Sequence, residues 1–85
     1  MSIEAFEFRI QLGEVVAILA FSPAPNSRVG AIYGELGIEY RAGDILLLRD
    51  RKIVHGSNPD DIRSIGKRWA RENIQRALDA ADFGG

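Results

Sequence analysis

Cysteine is absent from the 85-residue sequence, and His55 is the single histidine. The lack of cysteine excludes disulfides, thiolate nucleophiles, iron–sulfur clusters and cysteine-based zinc sites. A Ser-His-Asp arrangement would need His55, and no Gly-x-Ser-x-Gly motif supplies a nucleophile for it. The sequence therefore predicts a protein that is not an enzyme and needs no cofactor, in a reducing compartment such as the cytoplasm.

A metal site is not predicted either. The potential ligands that lie closest together are His55, Asp60 and Asp61. The two aspartates directly follow Asn58-Pro59, and carboxylates in the first turn of a helix are stabilised by the helix dipole. We therefore expect these aspartates to begin a helix and not to bind a metal ion.

An excess of charge and a long apolar run are also missing. The sequence has 11 basic and 12 acidic residues and a net charge of -1, so no overall field attracts nucleic acid or an anionic membrane. The longest apolar run, Val15 to Phe21, is about a third of the ~20 residues that span a bilayer. No basic segment followed by an apolar stretch, which is typical of a secretion signal, opens the sequence. We expect a single domain over residues 1–85 with no membrane partner.

Alternating hydrophobicity predicts a hairpin near the N-terminus. Apolar and polar residues alternate from Phe6 to Leu12, the period of a strand with one buried face. The apolar, β-branched run from Val15 to Phe21 predicts a second strand, and Gly13-Glu14 predicts the turn between the two.

The segment 28–37 fits a short helix. Its apolar residues follow the spacing i, i+3, i+4 and i+7, and Gly37 suits the residue after a helix C-terminus. Gly30 and Gly34 oppose a helix by about 1 kcal/mol each. The alternative makes Val29 to Tyr33 and Ile38 to Tyr40 two strands, which would turn the domain toward a small barrel. We expect the helix, with Tyr33 in the core.

Two more strands and a long helix are predicted after Gly43. Ile45 to Leu48 and Ile53-Val54 are the strands, and Arg49 to Lys52 is the solvated turn between them. Asn58 and Pro59 are typical of an N-cap and a first helical residue, so a helix should run from Pro59 to about Ala81. On its wheel Trp69 falls on the apolar side.

These elements predict a two-layer α+β domain of order ββαββα. Its four-stranded sheet would be mainly antiparallel or mixed, and its helices would lie on one face, the long one at the C-terminus.

The elements before the C-terminal helix carry a resemblance to a known family. The matching residues are the hairpin Phe6 to Phe21, the stripe Val29, Ile32 and Tyr33 ending in Glu35-Leu36-Gly37-Ile38, the strand Ile45 to Leu48, and Lys52-Ile53-Val54. Their order resembles the β-grasp, ubiquitin-like fold of the bacterial sulfur-carrier proteins. Those carriers end in Gly-Gly, whose carboxylate is adenylated and carries sulfur. The resemblance thus implies a sulfur or modifier carrier acting through Gly84 and Gly85, although here a long helix precedes them.

Charged residues in two segments are the candidate contacts with a partner. Arg49, Asp50 and Arg51 lie in the predicted turn, and Arg68 and Arg71 lie on the water-facing side of the predicted long helix. Arginine favours planar, bidentate contacts, which points toward protein recognition. The sequence predicts a small non-enzymatic protein-interaction module, such as an adaptor, inhibitor or small subunit, that binds through this helix face and the strand edges.

Two further partners stay open at this point. The basic stretch Arg63, Lys67, Arg68 and Arg71 would let the chain act as a small nucleic-acid-binding regulator, although no aromatic platform accompanies it. A homodimer through an unpaired strand is the other alternative, because a four-stranded sheet has two edges.

Overall fold

Four strands and one helix follow one another in the computed structural model, which describes residues 3–84, with side chains for 3–80. The elements are β1 (Phe6–Leu12), β2 (Val15–Pro23), β3 (Ile32–Ala42), β4 (Ile45–Gly56) and α1 (Pro59–Gly84). The strands form one antiparallel sheet in the order β1-β2-β3-β4. The predicted α+β class is confirmed, as are its four-stranded sheet and its long C-terminal helix.

Both tight hairpins turn at glycine. Leu12 pairs with Val15 around Gly13-Glu14, and Ala42 pairs with Ile45 around Gly43-Asp44. The φ angles of the two turn glycines are 66° and 61°. Positive φ at the first turn residue matches the right-handed twist of the strands, and only glycine adopts it without strain. The predicted first hairpin is confirmed.

One face of the sheet is buried beneath α1, and we call it the inner face; the opposite one is the outer face. Alternate strand residues supply the inner face, as a period of two requires. The buried apolar side chains of the strands are Ile10, Val15, Ala17, Leu19, Phe21, Ile32, Leu36, Ile38, Tyr40 and Val54, and α1 adds Ile62, Trp69, Ala70 and Ala77. Trp69 is 7% exposed, so its predicted place in the core is confirmed.

The predicted helix over residues 28–37 is wrong. This region contains a loop and the first half of β3, whose residues from Ile32 to Leu36 are alternately buried and exposed. The helix-like spacing arises because Ile32 and Leu36 share a face at either period. Neighbouring strands β2 and β4 satisfy the backbone of β3, which a glycine-containing helix in this position could not match. The alternative that placed strands here was correct in type. However, β3 is one continuous strand, and the sheet does not close into a barrel.

Tyr33 is consequently not a core residue. It lies on the outer face and is 40% exposed, because β3 turns odd-numbered residues away from α1. The helix that the β-grasp resemblance implies between the second and third strands is replaced by a loop over residues 24–31. Ser27 fixes this loop, since its hydroxyl accepts a hydrogen bond from the Tyr33 amide at 3.0 Å and donates one to the Tyr33 carbonyl.

The predicted turn at Arg49 to Lys52 is also wrong, because these residues lie in the middle of a single strand, β4. Its register places Arg49 opposite Glu39 and Arg51 opposite Gly37, with a bulge between Tyr40 and Arg41. A run of charges is tolerated there because β4 is at the edge of the sheet, where side chains reach water. The true turn is Gly43-Asp44, one strand earlier.

The start of α1 is capped in both directions. The Asn58 side-chain oxygen accepts a hydrogen bond from the Asp61 amide at 3.0 Å, and the Asp61 carboxylate accepts one from the Ser57 amide at 2.8 Å. Such reciprocal capping satisfies amides that have no partner within the helix. The predicted helix start at Pro59 is confirmed, and α1 extends to Gly84.

Cation–π contacts flank the interface between α1 and the sheet. The Lys52 ammonium lies 4.8 Å from the centre of the Trp69 ring, and the Arg63 guanidinium lies 4.6 Å from the centre of the Phe6 ring. Each contact is worth about 0.5 to 2 kcal/mol, depending on desolvation.

Within the described residues, α1 is not apolar enough to cross a membrane.

Gly34 and Gly37 provide a matched test of packing within β3. A methyl group on Gly34 would overlap the Ser22 carbonyl oxygen and lie 2.8 Å from Pro23 Cα, whereas one on Gly37 would meet no atom closer than 3.9 Å. We expect Gly34→Ala to lower the free energy of unfolding by about 1 to 3 kcal/mol or more. Gly37→Ala should stay within about 0.5 kcal/mol of the native chain. Urea unfolding followed by Trp69 fluorescence measures both, and equal losses would contradict the packing of β3 on β2.

Tyr40 makes the stability of the fold depend on pH. Its hydroxyl donates a hydrogen bond of 2.6 Å to the Ala70 carbonyl, and burial raises the pKa of Tyr40 to about 12. Between pH 10 and 12 the unfolded chain loses this proton and the folded one keeps it, so stability falls as the pH rises. We expect a loss of about 1 kcal/mol between about pH 9 and 11 that Tyr40→Phe abolishes and Tyr33→Phe retains. The same loss in Tyr40→Phe would show that another group causes it.

Candidate protein-binding surface on β4

The five predicted contact residues do not form one surface. Arg49 and Arg51 are exposed on the outer face of the sheet, and Asp50 is half-buried on the inner face. Arg68 and Arg71 are exposed on α1, where they line a shallow depression with Ser64, Lys67 and Glu72. Because α1 covers the inner face, the two arginine pairs lie on opposite sides of the two-layer domain.

β4 is a long strand at the edge of the sheet. It has 12 residues and pairs with β3 alone. Among residues 3–84, no backbone hydrogen bond from a loop or from α1 reaches it. Its exposed apolar side chains are Ile45 at 65%, Leu46 at 40% and Ile53 at 71%. A long edge strand with exposed apolar side chains is a template for another strand.

The hydrogen bonding of Arg51 shows which amides of β4 face the open edge. The Arg51 N–H donates to the Asp50 carboxylate at 2.8 Å, which identifies Arg51 as a position whose amide points away from β3. In an antiparallel pair such non-paired positions alternate along the strand. The regular register around Arg51 therefore turns the backbone groups of Arg49 and Ile53 to the same open edge. In the free protein, the Asp50 carboxylate occupies the position that the carbonyl of a neighbouring strand would take.

Glu39 orients the arginines on the outer face. Its two carboxylate oxygens accept hydrogen bonds from Arg49 at 2.9 Å and from Arg41 at 3.1 Å. These contacts, that of Arg41 first, hold the pKa of Glu39 below its usual value despite the opposing effect of desolvation. Glu39 is thus ionised near neutral pH and shared between two cations, so the cluster keeps a net positive charge.

Arg51 is held more loosely than Arg49. Its guanidinium lies 3.9 Å from the Glu35 carboxylate, and its side chain is 76% exposed. The Arg49 side chain is 65% exposed. Both guanidinium groups therefore keep donors that face solvent, which allows further contacts with a carboxylate.

On the inner side of β4, α1 contributes to the same edge. The Arg76 guanidinium lies 3.4 Å from the Asp50 carboxylate, and Lys52 extends over the Trp69 ring. The centre of β4 carries three cations, Arg49, Arg51 and Lys52, against one anion, Asp50. We call these four residues the basic centre of β4.

The outer face also contains a shallow depression of about 570 Å³ beside the basic centre. Ala20 and Gly37, which pair across β2 and β3, form its floor. Glu7 and Glu35 stand at its walls together with Arg49 and Arg51. The lining of the depression therefore carries both signs of charge.

The basic stretch of α1 has fewer free cations than its sequence indicates. Arg63 donates to the Asp60 carboxylate at 3.0 Å and covers the Phe6 ring, so it stabilises the fold. Lys67, Arg68 and Arg71 remain exposed. His55, Asp60 and Asp61 do not form a group that could hold a metal ion, and no other such group occurs among the described residues. Gly84 is the last residue of α1, and Gly85 lies outside the described residues.

Sequence analysis missed Lys52 and Ile53 as members of the candidate surface. A signal for the pairing was present, since Glu39 precedes and Arg49 follows Gly43-Asp44 by four to five residues. Opposite charges at such distances from a turn are typical of cross-strand pairs. The run of charges from Arg49 to Lys52 concealed this pairing, because such a run is also typical of a solvated loop.

Comparison with known proteins identifies no relative of this chain. No protein-family model matches the chain, and no curated protein and no solved structure matches it either.

Proposed function

We propose that this chain is a non-enzymatic protein-interaction module that binds an extended segment of a partner along the open edge of β4. The observation that carries the proposal is the outward-facing Arg51 amide, which bonds to a side chain in place of a neighbouring strand. An added strand would form main-chain hydrogen bonds with Arg49, Arg51 and Ile53. Main-chain bonds supply affinity in this mode of binding, and alternate side chains supply specificity.

Exposed side chains beside the open edge support the same proposal. Ile53 is 71% exposed and Ile45 is 65% exposed, at opposite ends of the basic centre. Each apolar side chain gains about 25 cal/mol for every Å² that a partner covers. Tyr33 of β3 pairs with His55 of β4 and is a diagonal neighbour of Ile53 on the outer face. Aromatic side chains such as Tyr33 are common anchors at interfaces.

The helix surface is the weaker candidate for this function. Lys67, Arg68 and Arg71 present charge, but no exposed aromatic side chain accompanies them on α1 within residues 59–80. Exposed charges alone contribute little to affinity. The nucleic-acid regulator that uses the stretch from Arg63 to Arg71, and the carrier that uses Gly84 and Gly85, stay predictions.

Replacing Arg51 tests strand addition independently of charge. Arg51→Pro removes the side chain and the outward amide, whereas Arg51→Ala removes the side chain only. Proline is tolerated on an edge strand where its N–H would not join the ladder. With extended nonapeptides selected from a random display library on the full chain, we expect Arg51→Pro to bind at least about tenfold more weakly than Arg51→Ala. Fluorescence titration of labelled peptides measures both affinities.

Hydrogen exchange on the native chain provides a second measurement that does not depend on the proline variant folding. Bound peptide should slow amide exchange at Arg49, Arg51 and Ile53 and leave the exposed side of α1 unchanged. Equal affinity of the two Arg51 variants, protection confined to α1, or failure to select any peptide would each reject the proposed function.

A further inference from the structure

The basic centre of β4 determines the chemistry of the segment that the edge accepts. We infer that the preferred partner is an acidic extended segment with carboxylates at positions i and i+2, opposite Arg51 and Arg49. This inference rests on the proposed function, since it describes the partner of the same edge.

The register of β4 places both arginines opposite residues of an incoming strand. Arg49 and Arg51 are two residues apart in a regular strand, so their side chains point to the same face. Their backbone groups face the open edge, so each would lie directly opposite one residue of an added strand. Opposite residues in such a pair lie about 5.5 Å apart at Cα, close enough for charged side chains to interact.

The acidic residues already present do not satisfy these arginines. Glu39 is shared between Arg41 and Arg49, and Glu35 lies 3.9 Å from Arg51. Both glutamates belong to β3, on the side away from the open edge. An incoming carboxylate would therefore approach arginine donors that face solvent on the outer side of β4. The carboxylate at this edge, Asp50, projects from the inner side, and an added strand would displace it from the Arg51 amide toward Arg76, which lies 3.4 Å from it.

The inner side and the ends of β4 refine the preferred pattern. Lys52, between the inner-face positions of Asp50 and Val54, favours a third carboxylate on the other face of the added strand. Ile53 is exposed and favours an apolar residue opposite it. From its N-terminus, an antiparallel segment would thus present an apolar residue opposite Ile53 and acidic residues opposite Lys52 and Arg51. Any residue would follow opposite Asp50, and a third acidic residue would lie opposite Arg49.

A second copy of this chain fits the edge poorly. In a symmetric antiparallel pairing centred on Asp50, Arg49 of each copy would face Arg51 of the other. In one centred on Arg51, the two Arg51 side chains would face each other. Like charges directly opposite are destabilising, so the basic centre opposes self-pairing in these two registers and complements an acidic strand.

Peptides of one backbone and three charge patterns test the inference. The acidic nonapeptide carries Asp or Glu at the three positions named above, and its controls carry the matching amides or lysines there. Three cross-strand ion pairs at about 0.2 to 1 kcal/mol each predict that the acidic peptide binds the native chain roughly threefold to 150-fold more tightly than the amide peptide. The advantage should shrink as ionic strength rises, because exposed charges are screened.

Matched charge reversals locate the preference. The double variant R49E/R51E should reverse it, so that the lysine peptide binds better than the acidic one. R68E/R71E makes the same change in net charge on the opposite side of the domain and should leave the preference intact. The inference would be overturned if R68E/R71E reversed the preference for the acidic peptide, or if the amide peptide bound the native chain as well as the acidic one.

The outcomes separate this inference from the proposed function. If the Arg51→Pro variant loses peptide binding but the three peptides bind equally, the edge binds strands without charge selection, and only the inference fails. If no peptide slows exchange in β4, both fail. Sedimentation of the native chain that shows a dimer through β4 would assign the edge to a second copy and would also overturn the inference.

Discussion

Burial of one face of the sheet under a single helix is the constraint on which the rest of the structure depends. The apolar side chains of the inner face meet α1, and no second layer lies on the outer face in the described residues. Apolar burial is the main favourable contribution to folding, so α1 and the inner face must stay together. The outer face and the sheet edges are not part of this buried core, so they can carry charged residues.

The two edges of the sheet are built differently. β1 has seven residues, and its apolar side chains on the inner face pack against the core. β4 has 12 residues, and its centre carries charge on both faces. Charged side chains on an edge strand normally prevent association. In β4 the proposed function gives these charges a second role, since the charges that oppose a like strand would select an acidic one.

Local signals determined which elements could be predicted from the sequence. The hairpin around Gly13 and the start of α1 at Asn58 were predictable because each depends on neighbouring residues. The strand β3 was not, because Ile32 and Leu36 are four residues apart and fit one face of a helix as well as one face of a strand. Only the flanking strands decide between them, and that pairing is non-local.

The candidate surface was predictable in part for the same reason. Exposure of Arg49 and Arg51 follows from their charge, but their place in a strand follows from pairing with β3 across a bulge. A bulge shifts the register by one residue, which conceals alternation in the run from Ile45 to Val54. Hydrogen bonding of the Arg51 amide to Asp50 depends on the edge position and has no signal in the sequence.

The meander topology has a consequence for biosynthesis. Each strand pairs with the strand before it in the chain, so hairpins can form while the polypeptide is still emerging from the ribosome. Their apolar surface nevertheless has no cover until the 26 residues of α1 have been made. Completion of the native state therefore waits for α1, which is made after all four strands, and a nascent sheet without α1 exposes apolar surface that favours aggregation.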